Sequence, residues 1–494
     1  AIESEREFGY SILQAIEREQ KVRANLFKKN GVNKIEEYRE LGNKMPRVLV
    51  IMDEIQELFL ASNDNLSKKS SEIIKRIILQ GRAFGVHLLL SSQSYSNITG
   101  IDRSMIDQMA VRIVLKCSNA DADLLLKNGS AEVDQISIDD PGRGIYNSEA
   151  GNKEFNSHFR ASYIVPEDRP GLLEEISEET AKYYKQPTRI LLSNIENNKY
   201  CIFNQFTNYN DKKIDEQNQI YVGEPLSMSS DLNLLFGRNP GSNLLVLGEN
   251  DEKARSIFTF SLLSLCINYY VKHSGTKPNQ PFIYLLNSKP LEDPVLVDNI
   301  EFISNNLPSY VKYISCGDEV KIKDSLSTLF EQIINKNNTG STSDIEQYFF
   351  VFGYQRSEEL KSNYKQVSED EIDKIFSLIN IDSNSDVEYS SREKFYALIK
   401  DGSSLGIHTV LWQDSFTALE RDDANLMSYF NLRIAFDMKK EDFSRAVSEN
   451  DTENLSSNDA IYYNKARDNQ KFRLYQTSDE EWLYSICCHL ENKE

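Results

Sequence analysis

The spacing of apolar and polar positions changes period repeatedly along this chain, and the changes mark its elements. Residues 5–29 are rich in helix formers and carry Phe8, Ile12, Ile16 and Leu26 on one helical face, so they predict a long helix ending at Asn30-Gly31. After a short helix near Lys34–Leu41, Pro46 precedes the unbroken apolar run Val48–Met52, which ends in Asp53-Glu54. A run apolar on both faces predicts a central strand of a parallel sheet. A polar loop at 62–71, a helix over 72–84 and a strand over Val86–Leu90 follow, the last ending in Ser91-Ser92-Gln93. A strand over 111–116, a helix over 120–127, the turn Asp140-Pro141-Gly142 and the run Gly144-Ile145-Tyr146 complete this region. Strands alternating with helices predict an α/β sheet with crossover helices.

Residues 166–190 hold three prolines and a charged helix and are expected to connect two domains. Beyond them the apolar strand Asn243–Leu247 runs into Gly248, a helix is expected over 252–270, and further strands over 282–286, 349–352 and 408–411. Residues 335–343 and 382–391 are expected to be exposed loops, and a final helix spans 482–489. An internal repeat links the halves: FGVHLLL around Gly85 matches LGIHTVL around Gly406, and AVRIVLK matches NLRIAFD. Gly85 to Arg112 is 27 positions (112 − 85) and Gly406 to Arg433 is also 27 (433 − 406), so the same fold is expected twice.

Composition narrows the class. At 494 residues, 40% hydrophobic and 27% charged, the chain is an ordinary globular one with room for roughly two to four domains. It has no apolar run of about 18 residues or more and no basic, apolar leader, so a soluble, cytoplasmic portion is expected. Six cysteines without CxxC spacing and five scattered histidines point to reduced thiols and no protein-only metal site. The net charge of −20 argues against a broad basic face for nucleic acid, although a ring-shaped motor can grip a polyanion through a few channel loops while its outer surface stays acidic.

The candidate chemistry sits at strand ends. An apolar strand closing on Asp-Glu suits a carboxylate that holds Mg²⁺ through water, Asp53, and one that activates the attacking water, Glu54. The bland alternative is a strand end meeting solvent. Ser92 and Gln93 end the neighbouring strand where they could reach a γ-phosphate or the lytic water, or simply begin a loop. Arg82 and Arg112 are candidates for an arginine acting on a neighbouring subunit's phosphate; otherwise they are a solvated helix end and a salt-bridged residue beside the sheet.

Together PRVLVIMDEIQELF, GRAFGVHLLLSSQS, AVRIVLKCSNADADLLL and GRGIYN resemble the second half of an FtsK/SpoIIIE motor domain, over about residues 1–165. The resemblance implies tandem RecA-like P-loop NTPase domains, with mainly parallel central sheets and flanking helices. It implies ATP and Mg²⁺ as cofactors, a Walker B role for Asp53 and Glu54, a Gln93 that follows the sensor strand, and a homo-oligomeric ring of six. The domains expected are a C-terminal half of such an ATPase at 1–165, a linker at 166–215 and a degenerate copy at 216–494. A GxxxxGK[ST] phosphate loop occurs nowhere in the sequence. In the second domain, Gly248 to Gly353 spans 105 positions (353 − 248), and the same distance counted back from Asp53 falls before residue 1. The first domain's loop is therefore expected upstream, where a membrane anchor or effector-binding regions could also lie.

In the second domain Gly248–Arg255 stands at the loop position, with Ala254 in place of the lysine and Arg255 in place of the Ser/Thr, and Phe349–Tyr354 has lost both acids. This predicts a pseudo-ATPase. The function expected from the resemblance is ATP-driven translocation of double-stranded DNA. The alternatives are protein export of the type VII secretion kind and a non-hydrolysing scaffold.

Overall fold

The computed structural model describes residues 3–59, 64–137, 142–182, 219–226, 232, 234–289, 298–339, 345–361, 389–423, 425–447, 455, 458–466, 469–476 and 480–492. Most of the expected linker, the Asp140-Pro141 part of the expected turn, Cys201, and much of the two expected loops lie outside these residues. The chain divides into two compact units, Ala1–Asn194 and Ile195–Glu494.

In the N-terminal unit, helix α1 (Glu3–Asn30) is followed by α2 (Ile35–Glu40), strand β1 (Val48–Met52), α3 (Asn65–Phe84) and β2 (Val86–Leu90). Helix α3 starts where Asp64 accepts a hydrogen bond from Ser67 N (2.8 Å), and it ends at Gly85 in the left-handed region. Its apolar stripe Ile73, Ile74 and Ile77 packs with Leu13 of α1 and Val86. Then come α4 (Arg103–Asp107), β3 (Arg112–Val114), α5 (Asn119–Leu126), α6 (Ser130–Val133), β4 (Arg143–Asn147), β5 (Asn156–Arg160) and α7 (Arg169–Ala181). Strands β1 and β2 form one parallel pair, and β3, β4 and β5 form a separate antiparallel sheet.

The run Val48–Met52, expected to be a central strand, pairs with β2 alone among the described residues. Leu49 and Ile51 are 58% and 64% exposed. Its pattern is that of a strand covered on both faces, but the described part of this unit covers only one.

The C-terminal unit holds one nine-stranded sheet. Its elements are β6 (Gln219–Ile220), β7 (Gly223–Pro225), β8 (Leu234–Leu235), β9 (Leu244–Leu247), α8 (Asp251–Lys272), β10 (Ile283–Asn287), α9 (Asn299–Asn306), β11 (Val311–Ser315), α10 (Glu319–Thr339), β12 (Gln347–Phe352) and α11 (Glu358–Lys361). They continue through α12 (Ser391–Asp401), β13 (Ile407–Gln413), α13 (Phe416–Asp422), β14 (Leu432–Ala435), α14 (Lys440–Val447), β15 (Asp459–Asn464), β16 (Gln470–Leu474) and α15 (Glu480–Leu490). The sheet order is β11-β10-β12-β13-β9-β14-β15-β16-β7, parallel from β11 to β14 and antiparallel beyond. Helix α8 is buried without a break from Lys253 to Cys266, as a helix pressed against a sheet from above and enclosed at its sides must be. The two faces of the sheet carry separate apolar cores, one built on Phe258 and Phe350 and the other on Leu329, Phe349 and Phe395. Each buried Leu, Ile or Phe contributes about 1.5–3 kcal/mol. Residues 335–339, expected in a loop, extend α10, where Ile333 is buried and Lys336 Nζ donates to Leu405 O at 2.9 Å.

Candidate functional site: two ends of the same strand frame

The residues Asp53, Glu54, Ser92 and Gln93 come together where β1 and β2 end side by side. The parallel register pairs Met52 with Leu90. Ser91 N then donates to Met52 O, and Ile55 N to Ser91 O, both at 2.9 Å, so the two strand ends remain zipped one residue past the sheet. This zipper brings Ser91 Oγ onto Asp53 Oδ1, a hydrogen bond that orients the carboxylate. Glu54 takes a left-handed φ of +53°, an unusual conformation for a side-chain-bearing residue, and it turns the chain sharply after the strand. Its carboxylate accepts from Gln93 Nε2 at 3.1 Å and from Gln56 Nε2. Ser92 Oγ donates to Gln56 Oε1 at 2.6 Å, closing a ring of polar side chains around Glu54. Asp53 and Gln93 are exposed and Glu54 is half-buried.

Asp121, which the sequence reading passed over, fixes the loop just after Gln93. Its carboxylate accepts from Tyr95 N and Ser96 N (both 2.8 Å), Ser94 Oγ (3.1 Å) and Ser118 Oγ (2.6 Å). Burial works against its charge, but the hydrogen bonds from Ser118, Ser96, Ser94 and Tyr95 outweigh that and hold the carboxyl below its ordinary range. Ser118-Asn119-Ala120-Asp121 is a helix-capping pattern, and that was the available signal: Ser118 caps α5 while Asp121 turns back to the loop. Tyr95, half-buried beside it, donates to Leu90 O at 2.7 Å, and its partial burial pushes the hydroxyl up to about 12.

Arg82 is exposed in the last turn of α3. Arg112 is 5% exposed and holds three main-chain carbonyls: Nε to Met109 O (3.1 Å), Nη1 to Leu125 O (2.6 Å) and Nη2 to Ile106 O (2.9 Å). The C-terminal unit repeats this clamp at the same offsets, with Arg433 donating to Phe430 O (3.1 Å), Ala446 O (2.8 Å) and Met427 O (3.3 Å).

The repeat extends to the strand ends with no change of register. Gln347 pairs with Ile407 as Val48 pairs with Val86, so Phe352 stands at the position of Asp53 and Gly353 at that of Glu54. Gly353 keeps the left-handed turn, with a φ of +84°. The position of Ser91 is filled by Trp412, whose ring lies 4.5 Å from that of Phe352. Trp412 Nε1 donates to Gly248 O at 3.1 Å, which ties the loop after β9 to the aromatic pair.

Charged side chains fill what remains. Arg255 lies 4.6 Å over the Phe352 ring, pairs with Asp298 and Asp251, and donates to Lys289 O at 2.7 Å. Lys289 sits 5.1 Å over Trp412 and 3.6 Å from Asp251, while Lys253 Nζ pairs with Asp437 at 2.8 Å. Lys253 thus answers to a carboxylate of its own unit. Among the described residues no cluster of His, Cys, Asp and Glu is arranged to hold a metal ion, and no helix is long and apolar enough to cross a membrane.

The fold, with its parallel strands, strand-end turn and helix entering after Gly248, is that of tandem P-loop ATPase domains. Within that class the chain is related to the FtsK/SpoIIIE-type ATPases, and its homologues include both DNA translocases and ATPases of ESX secretion systems. It is 31% identical over 169 residues to the ESX secretion system protein YukB of Bacillus subtilis (strain 168), a match covering 33% of this chain and 10% of that protein. It is 32% identical over 102 residues to the DNA translocase SftA of the same organism, covering 19% of this chain and 10% of SftA. The chain thus spans about a tenth of the length of the curated relatives it matches. Among solved structures, the cytoplasmic domain of the Thermomonospora curvata type VII secretion ATPase EccC shares the fold over 99% of this chain and 55% of that one, with a TM-score of 0.56 and 15% identity. No protein-family model matches the chain.

Proposed function

We propose that the N-terminal unit is the hydrolytic half-site of an ATP-driven translocation motor and that the C-terminal unit is an inactive copy of the same fold. The observation carrying this reading is the Asp53, Glu54, Ser91 and Gln93 constellation at two zipped strand ends, set against Phe352, Gly353 and Trp412 at the same positions of the second unit. Asp53 and Ser91 bring oxygen ligands together at the first strand end, and a hard cation such as Mg²⁺ prefers oxygen. Asp53 would hold it through water, with Ser91 keeping the carboxylate oriented, and Ser92 lies within reach of the nucleotide's phosphates. Mg²⁺ supplies charge neutralisation on the phosphates when bound.

Glu54, steadied by Gln93, accepts the proton of the attacking water as its oxygen bonds to the terminal phosphorus and ADP departs. Arg82 is the candidate for a residue acting on a neighbouring subunit in a homo-oligomeric ring, because the guanidinium of Arg112 is already committed to three carbonyls.

For the track, protein export is supported by the longer of the two matches, to YukB, and the tandem architecture fits it. Double-stranded DNA, the expectation from the sequence, is supported by the match to SftA. The test is ATP turnover by the chain supplied with a GxxxxGK[ST]-bearing strand and helix, with and without long double-stranded DNA, alongside Glu54→Gln. Turnover stimulated by DNA and abolished by the substitution establishes the DNA motor. Turnover indifferent to DNA favours the polypeptide track, and no turnover in any arm overturns the hydrolytic reading.

A further inference from the structure

Glu54 is gripped from two sides. Gln93 Nε2 donates to one oxygen of its carboxylate at 3.1 Å, and Gln56 Nε2 donates to the other. Gln56 lies two residues past Glu54 in the helical turn Ile55–Phe59, which Ile55, Leu58 and Phe59 anchor in the core beside Ile73, Ile74 and Ile77 of α3. Its own oxygen accepts from Ser92 Oγ at 2.6 Å, which fixes the way the amide faces. Turned over, it would set that oxygen against the Glu54 carboxylate, two acceptors with no proton between them. Ser92 is held in its turn, since Ser94 N donates to its Oγ at 3.3 Å and Ser94 Oγ donates to Asp121 at 3.1 Å. A line of hydrogen bonds therefore runs from α5 to Glu54 and ends on the Gln56 amide.

The C-terminal unit is an internal control for this amide. Gln355 follows Gln347 by eight residues as Gln56 follows Val48, and Gln413 follows Ile407 by six as Ser92 follows Val86. The repeat thus keeps a glutamine at the position of Gln56, with Gly353 where Glu54 stands and Gln413 where Ser92 stands. Both Nε2 and Oε1 of Gln355 are buried without a hydrogen-bond partner among the described residues, and so is Oε1 of Gln413. Unmade hydrogen bonds inside a protein destabilise it. A glutamine whose partners belonged to the fold would find them in both units. This one bonds where the carboxylate and the serine are present and goes without them where they are lost.

We infer that Gln56 is a positioning residue for hydrolysis: it sets the Glu54 carboxylate to receive the proton of the attacking water, and Ser92 sets Gln56. The role in hydrolysis rests on the ATPase reading of Glu54, whereas the grip on its carboxylate rests on geometry. An amide suits the task. It donates a hydrogen bond without bringing a positive charge that would weaken the base, and it has no acidic proton, so the proton taken from water ends on Glu54 and not on its holder. Each oxygen of the carboxylate takes one amide donor and keeps a second acceptor position for water.

The grip is tested in the full chain with nitrogen-15 confined to its glutamines. The side-chain amide signal of Gln56, assigned by its loss in Gln56→Met, is expected to shift with Glu54→Ala and with Ser92→Ala while that of Gln355 stays in place. A Gln56 signal indifferent to Glu54→Ala overturns the inference. Gln355→Met is expected not to lower the urea midpoint of the C-terminal unit, because the apolar side chain leaves nothing unpaired. A lowered midpoint would give this glutamine a place in the fold and count against the inference.

The role is tested by turnover of the chain supplied with a GxxxxGK[ST]-bearing strand and helix. Gln56→Met, which keeps the volume and drops the donor, should lower kcat about tenfold with KM within about twofold, and leave unfolding of the N-terminal unit unchanged. Added to Glu54→Gln it should lower kcat no further, since it acts through that carboxylate. An unchanged kcat in Gln56→Met, or a loss that adds in full to that of Glu54→Gln, overturns the inference. Turnover in no arm, with the Gln56 signal still answering to Glu54, overturns the ATPase reading and leaves Gln56 the holder of that carboxylate.

Discussion

The two strand ends of this protein share a scaffold and differ in the side chains they present. Both have an arginine holding three carbonyls at offsets of −6, −3 and +13, and both turn left-handed just past the strand, β1 in one and β12 in the other. At the first, a carboxylate meets a hydroxyl (Asp53 and Ser91); at the second, an indole meets a phenyl ring (Trp412 and Phe352). The scaffold survives because its bonds are internal: removing Arg433 strands three carbonyls whether or not ATP ever binds. The side chains at the strand ends carry no such obligation. In the C-terminal unit aromatic rings and ion pairs fill the space beside Phe352 and Trp412, and a filled, close-packed cleft is more stable than an open one.

The comparison can be broken most decisively at Glu54. In the chain supplied with a GxxxxGK[ST]-bearing segment, Glu54→Gln is expected to lower ATP turnover by about 10²–10⁴-fold, the usual contribution of a general base. Unfolding should be unchanged, and an equal loss of stability would show Glu54 to be structural. At the matching strand end, Trp412→Ala is expected to cost about 3–5 kcal/mol in urea unfolding without creating ATP binding, because the ion pairs of Arg255, Lys289 and Asp251 remain. Nucleotide binding by that variant would show the aromatic pair alone to be the plug.

Next in size, Arg112→Met and Arg433→Met should each destabilise their own unit by about 3 kcal/mol, read from separate unfolding transitions. A fall in turnover with no loss of stability in Arg112→Met would instead restore a role for it in catalysis.

The smallest effect is in the pH dependence of Asp121. Its folded pKa is depressed, so its contribution to stability is complete above the unfolded value of about 3.9 and is lost as pH falls through the lower folded value. Asp121→Asn should therefore flatten the acid limb of the N-terminal unit's stability below about pH 4, which chemical unfolding across that range would reveal.

Much of this was legible because repeated local patterns leave repeated signatures. The 27-residue spacing from Gly85 to Arg112 and from Gly406 to Arg433 marks two copies of one strand-helix-strand unit, and the structure superimposes their strand registers and arginine clamps. The Asp53-Glu54 pair at the end of an apolar run was visible for the same reason. Three features were not. Ser91 was not singled out, since only the strand register sets it against Asp53. Asp121 looked like one more acid in a helix, because the amides it binds lie about 25 residues earlier. The three carbonyls that Arg112 holds lie at separations that no local pattern announces.

By itself the sequence determined the strands and helices, the doubling of the fold and the loss of acids from its second copy, because periodicity, glycine placement and side-chain chemistry act over a few residues. Which side chains meet was left to tertiary structure. Trp412 meets Phe352 only once β12 and β13 pair, and Val48–Met52, patterned for burial on both faces, is covered on one of them by the described part of the N-terminal unit. Contacts of that kind depend on partners far away in the chain, which a run of residues can invite but cannot supply.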